Sequence, residues 1–113
     1  MFVREIYQEL NKEFHILNFN NMDLKEIQTR NYNATVRRGL ITPSTEKTEF
    51  VEKLKEEVRE FESEVDLPFF NDTTREQEEL ADIVLVCFAY ATHFKFDLLE
   101  SMANKVLYNE KRL

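Results

Sequence analysis

A chain of 113 residues, 42% of them hydrophobic, has the size and composition of one globular domain. Its formal net charge is -7, with 22 acidic against 15 basic residues, which argues against a nucleic-acid partner because phosphate backbones are bound by an excess of Lys and Arg. One Gly and two Pro are too few for a turn-rich β architecture. We therefore expect a single all-α domain that spans residues 1–113.

The apolar residues and the single cysteine bear on the compartment of the protein. The longest apolar run covers residues 83–91, far short of the roughly 20 residues that cross a membrane. Residues 1–5 mix acidic, basic and apolar side chains and do not have the pattern of a signal peptide. Cys87 lies inside the apolar run, where we expect a small buried side chain. These features predict a cytoplasmic protein with no membrane partner.

The first part of the chain predicts two helices. A short helix is expected after Phe2, where apolar residues recur every fourth position. Residues 18–21 are rich in Asn and predict a loop. A second helix is predicted from about Asp23 to Arg38, with Gly39 as its left-handed stop. The residues expected to face inward from it are Leu24, Ile27, Asn31 and Val36.

The third predicted helix has the clearest start. Thr42 and Pro43 have the residue types of an N-cap and a first helical position. The helix then carries an apolar stripe, and it is expected to end before Pro68, since the residue preceding a proline avoids the helical region. The stripe consists of Phe50, Leu54, Val58, Phe61 and Val65.

Two more helices complete the expected bundle. Asp72 or Thr73 caps the fourth helix, which contains the apolar run at 83–91. A helix that is apolar all round is buried, so we expect it at the centre of the bundle or of an oligomer. Asp97 and Glu100 cap the last helix, which runs to about residue 112. Since no segment predicts a strand, the expected fold is an all-α bundle of four to five helices.

Two of these helices each carry a pair of acids three residues apart, Glu57 with Glu60 and Glu79 with Asp82. At about 100° per residue, the members of each pair share a helix face, and both pairs border apolar surface. Acids brought together there repel one another and lose solvation unless a cation binds, and oxygen ligands suit Mg²⁺. For the first pair alone, a solvated charged face is the better interpretation. The two pairs together favour a metal site.

The last helix carries a second candidate site. Lys105, Asn109 and Arg112 lie on one helical face, and such a set suits an anionic ligand because the guanidinium makes two-pronged contacts with phosphate. The alternative is that basic side chains simply complement the dipole at the end of the helix. On this helix alone, the alternative is the better interpretation.

The ordered set of motifs resembles the MazG-like group of the all-α nucleoside triphosphate pyrophosphatases. That group is marked by a Glu-x-x-Glu helix followed by a Glu-x-x-Asp helix, and the corresponding segments here are EVRE at 57–60 and ELAD at 79–82. The family often continues with an Asp-Leu connector and a Lys-x-x-x-Asn helix, which correspond to Asp97-Leu98 and to Lys105 with Asn109. The resemblance covers residues 50–112 and implies a MazG-like bundle.

What the resemblance implies is hydrolysis of a ribo- or deoxynucleoside triphosphate to the monophosphate and pyrophosphate. The cofactor would be Mg²⁺, with Mn²⁺ as a substitute. A metal-activated water would attack the α-phosphorus, with Glu57 or Glu60 as general base. His15 and His93 are isolated and are expected to be surface or packing residues. The implied metal ligands are Glu57, Glu60, Glu79 and Asp82.

The same resemblance suggests which residues contact the nucleotide and how the chain assembles. Lys105 and Arg112 would bind phosphate, and Asn109 would lie near the metal or the sugar. The N-terminal half matches the family less well, and the residue there that is expected to approach the ligand is Asn33, Arg37 or Arg38. A homo-oligomer is implied, with a tetramer preferred to a dimer.

Two alternative functions remain open at this point. The first is a relative with another nucleotide substrate, such as phosphoribosyl-ATP, dUTP or dCTP. The second is a helical interaction protein that keeps the fold without the activity.

Overall fold

The computed structural model describes residues 23–66 and 74–112, which form four α-helices and no strand. We number these helices α1 (Leu24–Arg37), α2 (Lys47–Val65), α3 (Thr74–His93) and α4 (Leu98–Lys111). The predicted all-α class is confirmed for this part of the chain. The short helix expected after Phe2 and the caps expected at Asp72 or Thr73 lie outside the described residues.

Helix α1 has the predicted boundaries. The carboxylate of Asp23 accepts a hydrogen bond from the backbone N–H of Glu26 at 2.8 Å, which satisfies one of the unpaired donors at the helix start. Gly39 follows the helix with φ at +76°, a left-handed conformation in which a Cβ atom would be strained. The predicted stop at Gly39 is therefore confirmed, and Asp23 is found to be the N-cap.

The predicted start of the next helix at Thr42 and Pro43 is wrong. Thr42 and Thr45 hydrogen bond to each other instead, with the Thr42 N–H donating to the Thr45 hydroxyl at 2.9 Å. The helix begins at Lys47, and the backbone N–H of Glu46 donates to the Glu49 carboxylate at 2.6 Å. Residues 42–45 form a turn because the Thr45 hydroxyl satisfies the backbone N–H of Thr42. The helix starts after this turn, where the Glu49 carboxylate satisfies the backbone N–H of Glu46.

The hydrophobic core forms where α1 and α2 both pack against α3. Its buried members are Ile41, Phe50 and Ala89. The Phe50 ring is at the centre, with its centroid 5.6 Å from that of Tyr90 and 5.7 Å from that of Phe94, both in edge-on contact. Edge-on aromatic pairs are favourable beyond their buried area, so this cluster helps to hold α2 against α3 and the turn that follows it.

His93 links three parts of the fold through its imidazole ring. Its Nε2 lies 3.1 Å from the carbonyl oxygen of Thr45, and its Nδ1 lies 2.9 Å from the hydroxyl of Tyr32. Because a carbonyl only accepts, Nε2 carries the proton and Nδ1 accepts from the tyrosine. The side chain thus ties α3 to α1 and to the loop before α2, and its expected packing role is confirmed.

The apolar run on α3 is less buried within one chain than expected. Phe88, Ala89 and Ala91 are buried, but Val84 is 47% exposed. The stripe on α2 behaves similarly, since Phe50 at its start is buried while Val65 at its end is 51% exposed. The end of α2 and the middle of α3 therefore keep apolar surface that these four helices do not cover.

Helix α4 begins as predicted, with the Asp97 carboxylate accepting the backbone N–H of Glu100 at 3.0 Å. Residues 100–112 are exposed throughout. Large apolar side chains on this exposed helix are Met102, Val106, Leu107 and Tyr108. None of the four described helices is both long enough and apolar enough to cross a lipid bilayer.

Replacing Phe50 by Ala should lower the free energy of unfolding by about 3–5 kcal/mol, because it removes a buried ring and leaves a cavity among the aromatic residues around it. Urea unfolding followed by circular dichroism measures this change. The control is Val51→Ala, the neighbouring position with 43% exposure, which should change stability by no more than about 0.5 kcal/mol. Equal effects of the two substitutions would contradict the assignment of Phe50 to the core.

Candidate functional site

Three of the predicted acids come together between α2 and α3. Glu57 on α2 and Glu79 and Asp82 on α3 each offer a carboxylate oxygen, and these oxygens lie within 4.8 Å of one another. The three-residue spacing places Glu79 and Asp82 on one face of α3, and the packing of the two helices brings Glu57 against that face. A metal ion can be held by such a set, but the metal role itself stays a prediction.

Glu57 is the buried member of this cluster, with 6% of its surface exposed. Its Oε1 lies 3.0 Å from the Nζ of Lys53. Its Oε2 is buried and accepts no hydrogen bond from the residues at 23–66 and 74–112. A buried carboxylate oxygen without a donor is costly, and a hard divalent cation bound by oxygen ligands is the partner that would satisfy it. The donor set therefore fits Mg²⁺.

Glu60 and Glu79 form the outer edge of the site. Burial, a hydrogen bond with Glu60 and the charges of Glu60, Asp82 and Glu57 together raise the pKa of Glu79 from its usual 4.5 to about 7. Glu60 is exposed and lies outside the three-acid group, so it reaches the site through Glu79. One Glu79 oxygen is also buried without a donor among the described residues. Without a cation, Glu79 therefore keeps its proton up to near neutral pH.

The pKa of Asp82 is also raised, although the residue is exposed overall. Partial burial is the main cause, and the negative charges of Glu57 and Glu60 add to it, while the ammonium of Lys53 opposes the shift. Every one of these causes penalises an additional negative charge except the lysine. The site is thus short of positive charge.

Lys53 is the cation that the structure places beside these acids, and sequence reasoning passed over it. Its Nζ lies 3.0 Å from Glu57 and 3.7 Å from Glu56. The hydrogen bond with Glu57 is the main reason that the pKa of Lys53 is raised. The four-residue spacing between Lys53 and Glu57 was available in the sequence, but that spacing is frequent on exposed helices and did not distinguish this pair.

Glu78 is a further buried acid that the i, i+3 motif did not include. It is 9% exposed, and its Oε1 accepts no hydrogen bond from the part of the chain that the structure describes. Its negative charge contributes to the raised pKa of Asp82, one helical turn further along α3. The excess of negative charge therefore extends beyond the predicted residues.

A cavity of about 400 Å³ opens beside the acids. This volume falls in the range of small-molecule sites. Glu57 and Asp82 form part of its wall, and Lys53 and Arg38 add two positive charges to it. The apolar part of the wall is made by Leu40, Ile41, Phe50, Leu85, Val86 and Ala89. The cavity therefore combines an acidic corner, two cations and an apolar surface.

The α1 side of this cavity is defined by Asn31 and Thr35. The Asn31 amide nitrogen donates to the carbonyl oxygen of Leu85 at 3.3 Å, which leaves its side-chain oxygen as an acceptor. The Thr35 hydroxyl donates to the backbone oxygen of Asn31 at 2.8 Å. Both side chains line the cavity. The Thr35 hydroxyl proton is already used, whereas Asn31 still has its second amide N–H and its side-chain oxygen to offer to a ligand.

The three residues named from the N-terminal half of the chain separate in the structure. Arg38 lines the cavity that holds Glu57 and Asp82. Asn33 and Arg37 are exposed and are not among the described residues that line it. The geometry is therefore compatible with ligand contact for Arg38, and its role stays a prediction.

Lys105 and Asn109 lie on the exposed α4, and Arg112 follows its last residue. These three residues are not among the described residues that line the cavity. The Nζ of Lys105 lies 4.8 Å from the ring centroid of Tyr108, and the guanidinium carbon of Arg112 lies 5.7 Å from it. Within one chain, both cations therefore lie close to the Tyr108 ring. Their expected binding of phosphate stays a prediction.

Comparison with known proteins adds no assignment. The chain matches no protein-family model, no curated protein and no solved structure. The resemblance to the MazG-like group accordingly rests on the motifs at 57–60, 79–82 and 105–109. Any function must be argued from the acids and the cavity themselves.

The raised pKa of Glu79 predicts that the metal-free protein loses stability as the pH rises. An unfolded chain releases this proton near 4.5, whereas the folded state holds it to about 7. The stabilisation is therefore complete below the unfolded value and is lost as the pH passes the folded one. Between about pH 5 and pH 8 in EDTA, Glu79→Gln should lose less in melting temperature than the wild type.

The matched control for that experiment is Glu62→Gln, which removes an exposed carboxylate from α2. Its melting temperature should follow the pH in parallel with the wild type. A Glu79→Gln profile that also runs parallel to the wild type would contradict the assignment of the raised pKa to Glu79.

Proposed function

We propose that this protein is a Mg²⁺-dependent pyrophosphohydrolase that converts ribo- or deoxynucleoside triphosphates to the monophosphate and pyrophosphate. The observation that carries the proposal is the buried carboxylate of Glu57. Its Oε2 accepts no hydrogen bond from the described residues, and one of its oxygens lies within 4.8 Å of carboxylate oxygens of Glu79 and Asp82 at a cavity of ligand size. Burying a carboxylate oxygen without a donor is costly, and a bound cation would remove that cost.

The acids have separate tasks in this reaction. Glu57, Glu79 and Asp82 hold the cation, and Glu60 supports Glu79 from the edge of the site. When bound, Mg²⁺ neutralises the triphosphate and makes a water molecule a better nucleophile at neutral pH. Glu57 or Glu60 accepts the proton that this water releases as it attacks the α-phosphorus. Cation binding also requires Glu79 to give up the proton that it holds near neutral pH.

The cavity supplies the remaining contacts to the substrate. The guanidinium of Arg38 is placed on the wall shared with the acids, where it pairs with a phosphate group. The apolar surface around Phe50 accommodates a base or a sugar. Asn31 offers one amide N–H and an acceptor oxygen, and Thr35 offers an acceptor oxygen, so this wall suits a ligand edge that both donates and accepts hydrogen bonds. Lys105, Asn109 and Arg112 remain candidates for phosphate and sugar contacts from another copy of the chain.

The proposal predicts pyrophosphate release, with the monophosphate as co-product, from a panel of ribo- and deoxynucleoside triphosphates when Mg²⁺ is present and not when EDTA replaces it. The panel includes dUTP, dCTP and phosphoribosyl-ATP, so that activity confined to one of them identifies a relative with that substrate. No release from any member by a folded protein would favour a non-catalytic helical interaction protein.

The variant for the same assay is Asp82→Ala. It should reduce the rate at least about 100-fold, and it should abolish the rise in melting temperature that Mg²⁺ produces, since a ligand of the folded state stabilises it. Glu62→Ala, which removes an exposed acid from α2, should keep both properties. An Asp82→Ala variant with wild-type rate and wild-type stabilisation would rule out its role as a ligand.

We also propose that the protein is a homo-oligomer, a tetramer in preference to a dimer. Support comes from apolar side chains that stay exposed on α3 and α4, because monomers seldom leave such a group uncovered. These side chains are Leu80, Val84, Met102, Val106, Leu107 and Tyr108. Light scattering at micromolar concentration should give a mass of several chains. The mass of a single chain would contradict this.

A further inference from the structure

Lys53 occupies an unusual position for a helix-surface lysine. Its ammonium lies 3.0 Å from Oε1 of Glu57, the buried acid whose other oxygen has no donor among the described residues. Its side chain is 50% exposed, and the residue also lines the cavity beside the acids. One end of Lys53 thus belongs to the metal-binding group, while its stem borders the space for a ligand.

We propose that Lys53 serves as the counter-ion of Glu57 when no divalent cation is bound, and that it moves to the triphosphate of the substrate when the cation arrives. This inference rests on the proposed function. It assigns to one residue two successive partners, a carboxylate of the protein and a phosphate of the ligand.

The first step follows from electrostatics. An ammonium at 3.0 Å from Glu57 and a divalent cation on the same carboxylate would repel each other strongly in a partly buried site. The lysine is the partner that yields, since its flexible four-carbon stem and its exposure leave room to move. Glu56 lies 3.7 Å from the ammonium and gives it a nearby second acceptor during the exchange. The cation must therefore displace the Lys53 ammonium from Glu57, which weakens cation binding but leaves the fold intact.

The second step follows from the cavity. A triphosphate bound beside Glu57 and Asp82 brings several negative charges to the wall that Lys53 already lines. A displaced ammonium is attracted to those charges, and lysine binds phosphate as a compact point charge. Arg38 lies on the same wall, so the two cations together balance the phosphates. Lys53 then weakens the binding of the metal alone and strengthens the binding of the substrate.

The consequence is coupling between the two ligands. Metal binding sets the ammonium free for phosphate, and phosphate binding draws the ammonium away from the metal ligand, so each should raise the affinity of the other. A protein built this way holds its cation most tightly when a substrate is present.

The decisive variant is Lys53→Met, which keeps an apolar stem and removes the charge. Its matched control is Lys55→Met on the same helix, because Lys55 pairs with the exposed Glu52 at 3.5 Å and is not among the described residues that line the cavity. Isothermal titration calorimetry with Mg²⁺ alone should show binding about 5-fold or more tighter in Lys53→Met than in the wild type. Lys55→Met should match the wild type.

The second titration uses inorganic tripolyphosphate in the presence of Mg²⁺, so that neither turnover nor base preference enters the result. Here Lys53→Met should bind about 10-fold more weakly than the wild type, Lys53→Arg should recover part of the loss, and Lys55→Met should be unchanged. Circular dichroism establishes that each variant is folded. The opposite signs of the two effects separate this role from a general loss of structure, which would weaken both ligands.

Two negative results have different meanings. Unchanged or weaker Mg²⁺ binding by a folded Lys53→Met, next to clear binding by the wild type, overturns the role of Lys53 and leaves the proposed function standing. Absence of Mg²⁺ binding from the wild type and from Lys55→Met overturns the metal site, and with it both proposals.

Discussion

The burial of the Glu57 carboxylate between α2 and α3 is the constraint around which the described part of this protein is organised. One oxygen is paired with Lys53 at 3.0 Å, and the other lacks a donor among residues 23–66 and 74–112. Such an arrangement costs free energy, and the aromatic packing around Phe50, two helical turns earlier on α2, offsets it. The same packing that hides Glu57 brings it against Glu79 and Asp82, so core and site form together.

The shape of the cavity depends on how α1 is held. Tyr32 and Thr45 both hydrogen bond to His93, which anchors α1 and the following loop to the end of α3. The Asn31 amide also donates a hydrogen bond to the Leu85 carbonyl, which holds α1 against the middle of α3. These polar contacts cross between helices in a small core, where each satisfied pair helps to select one arrangement. A ligand in the cavity would therefore meet a wall prepared by the fold.

The charges of the site are unbalanced in a way that fits a metal and a phosphate together. Burial and the charges of neighbouring acids raise the pKa values of Glu79 and Asp82, and the Lys53 ammonium opposes the shift of Asp82. A divalent cation would relieve the acids, and a triphosphate would then offer a new partner to the displaced lysine. Part of the negative net charge of the chain is concentrated at this place.

Much of this protein can be predicted from local sequence. The all-α class, the Asp23 and Asp97 caps and the Gly39 stop depend on contacts between near neighbours, and the i, i+3 acids follow from helical geometry alone. The start of α2 was misplaced because Thr42 and Thr45 satisfy each other, which residue types at two positions do not reveal. Three outcomes were decided only by the packing of α1 and α2 on α3. Glu57 is the buried acid, and Lys53 is its partner. Arg38 lines the cavity, whereas Lys105 does not. Those outcomes depend on distances between residues far apart in the chain, and a helical pattern specifies a face without specifying what lies opposite to it.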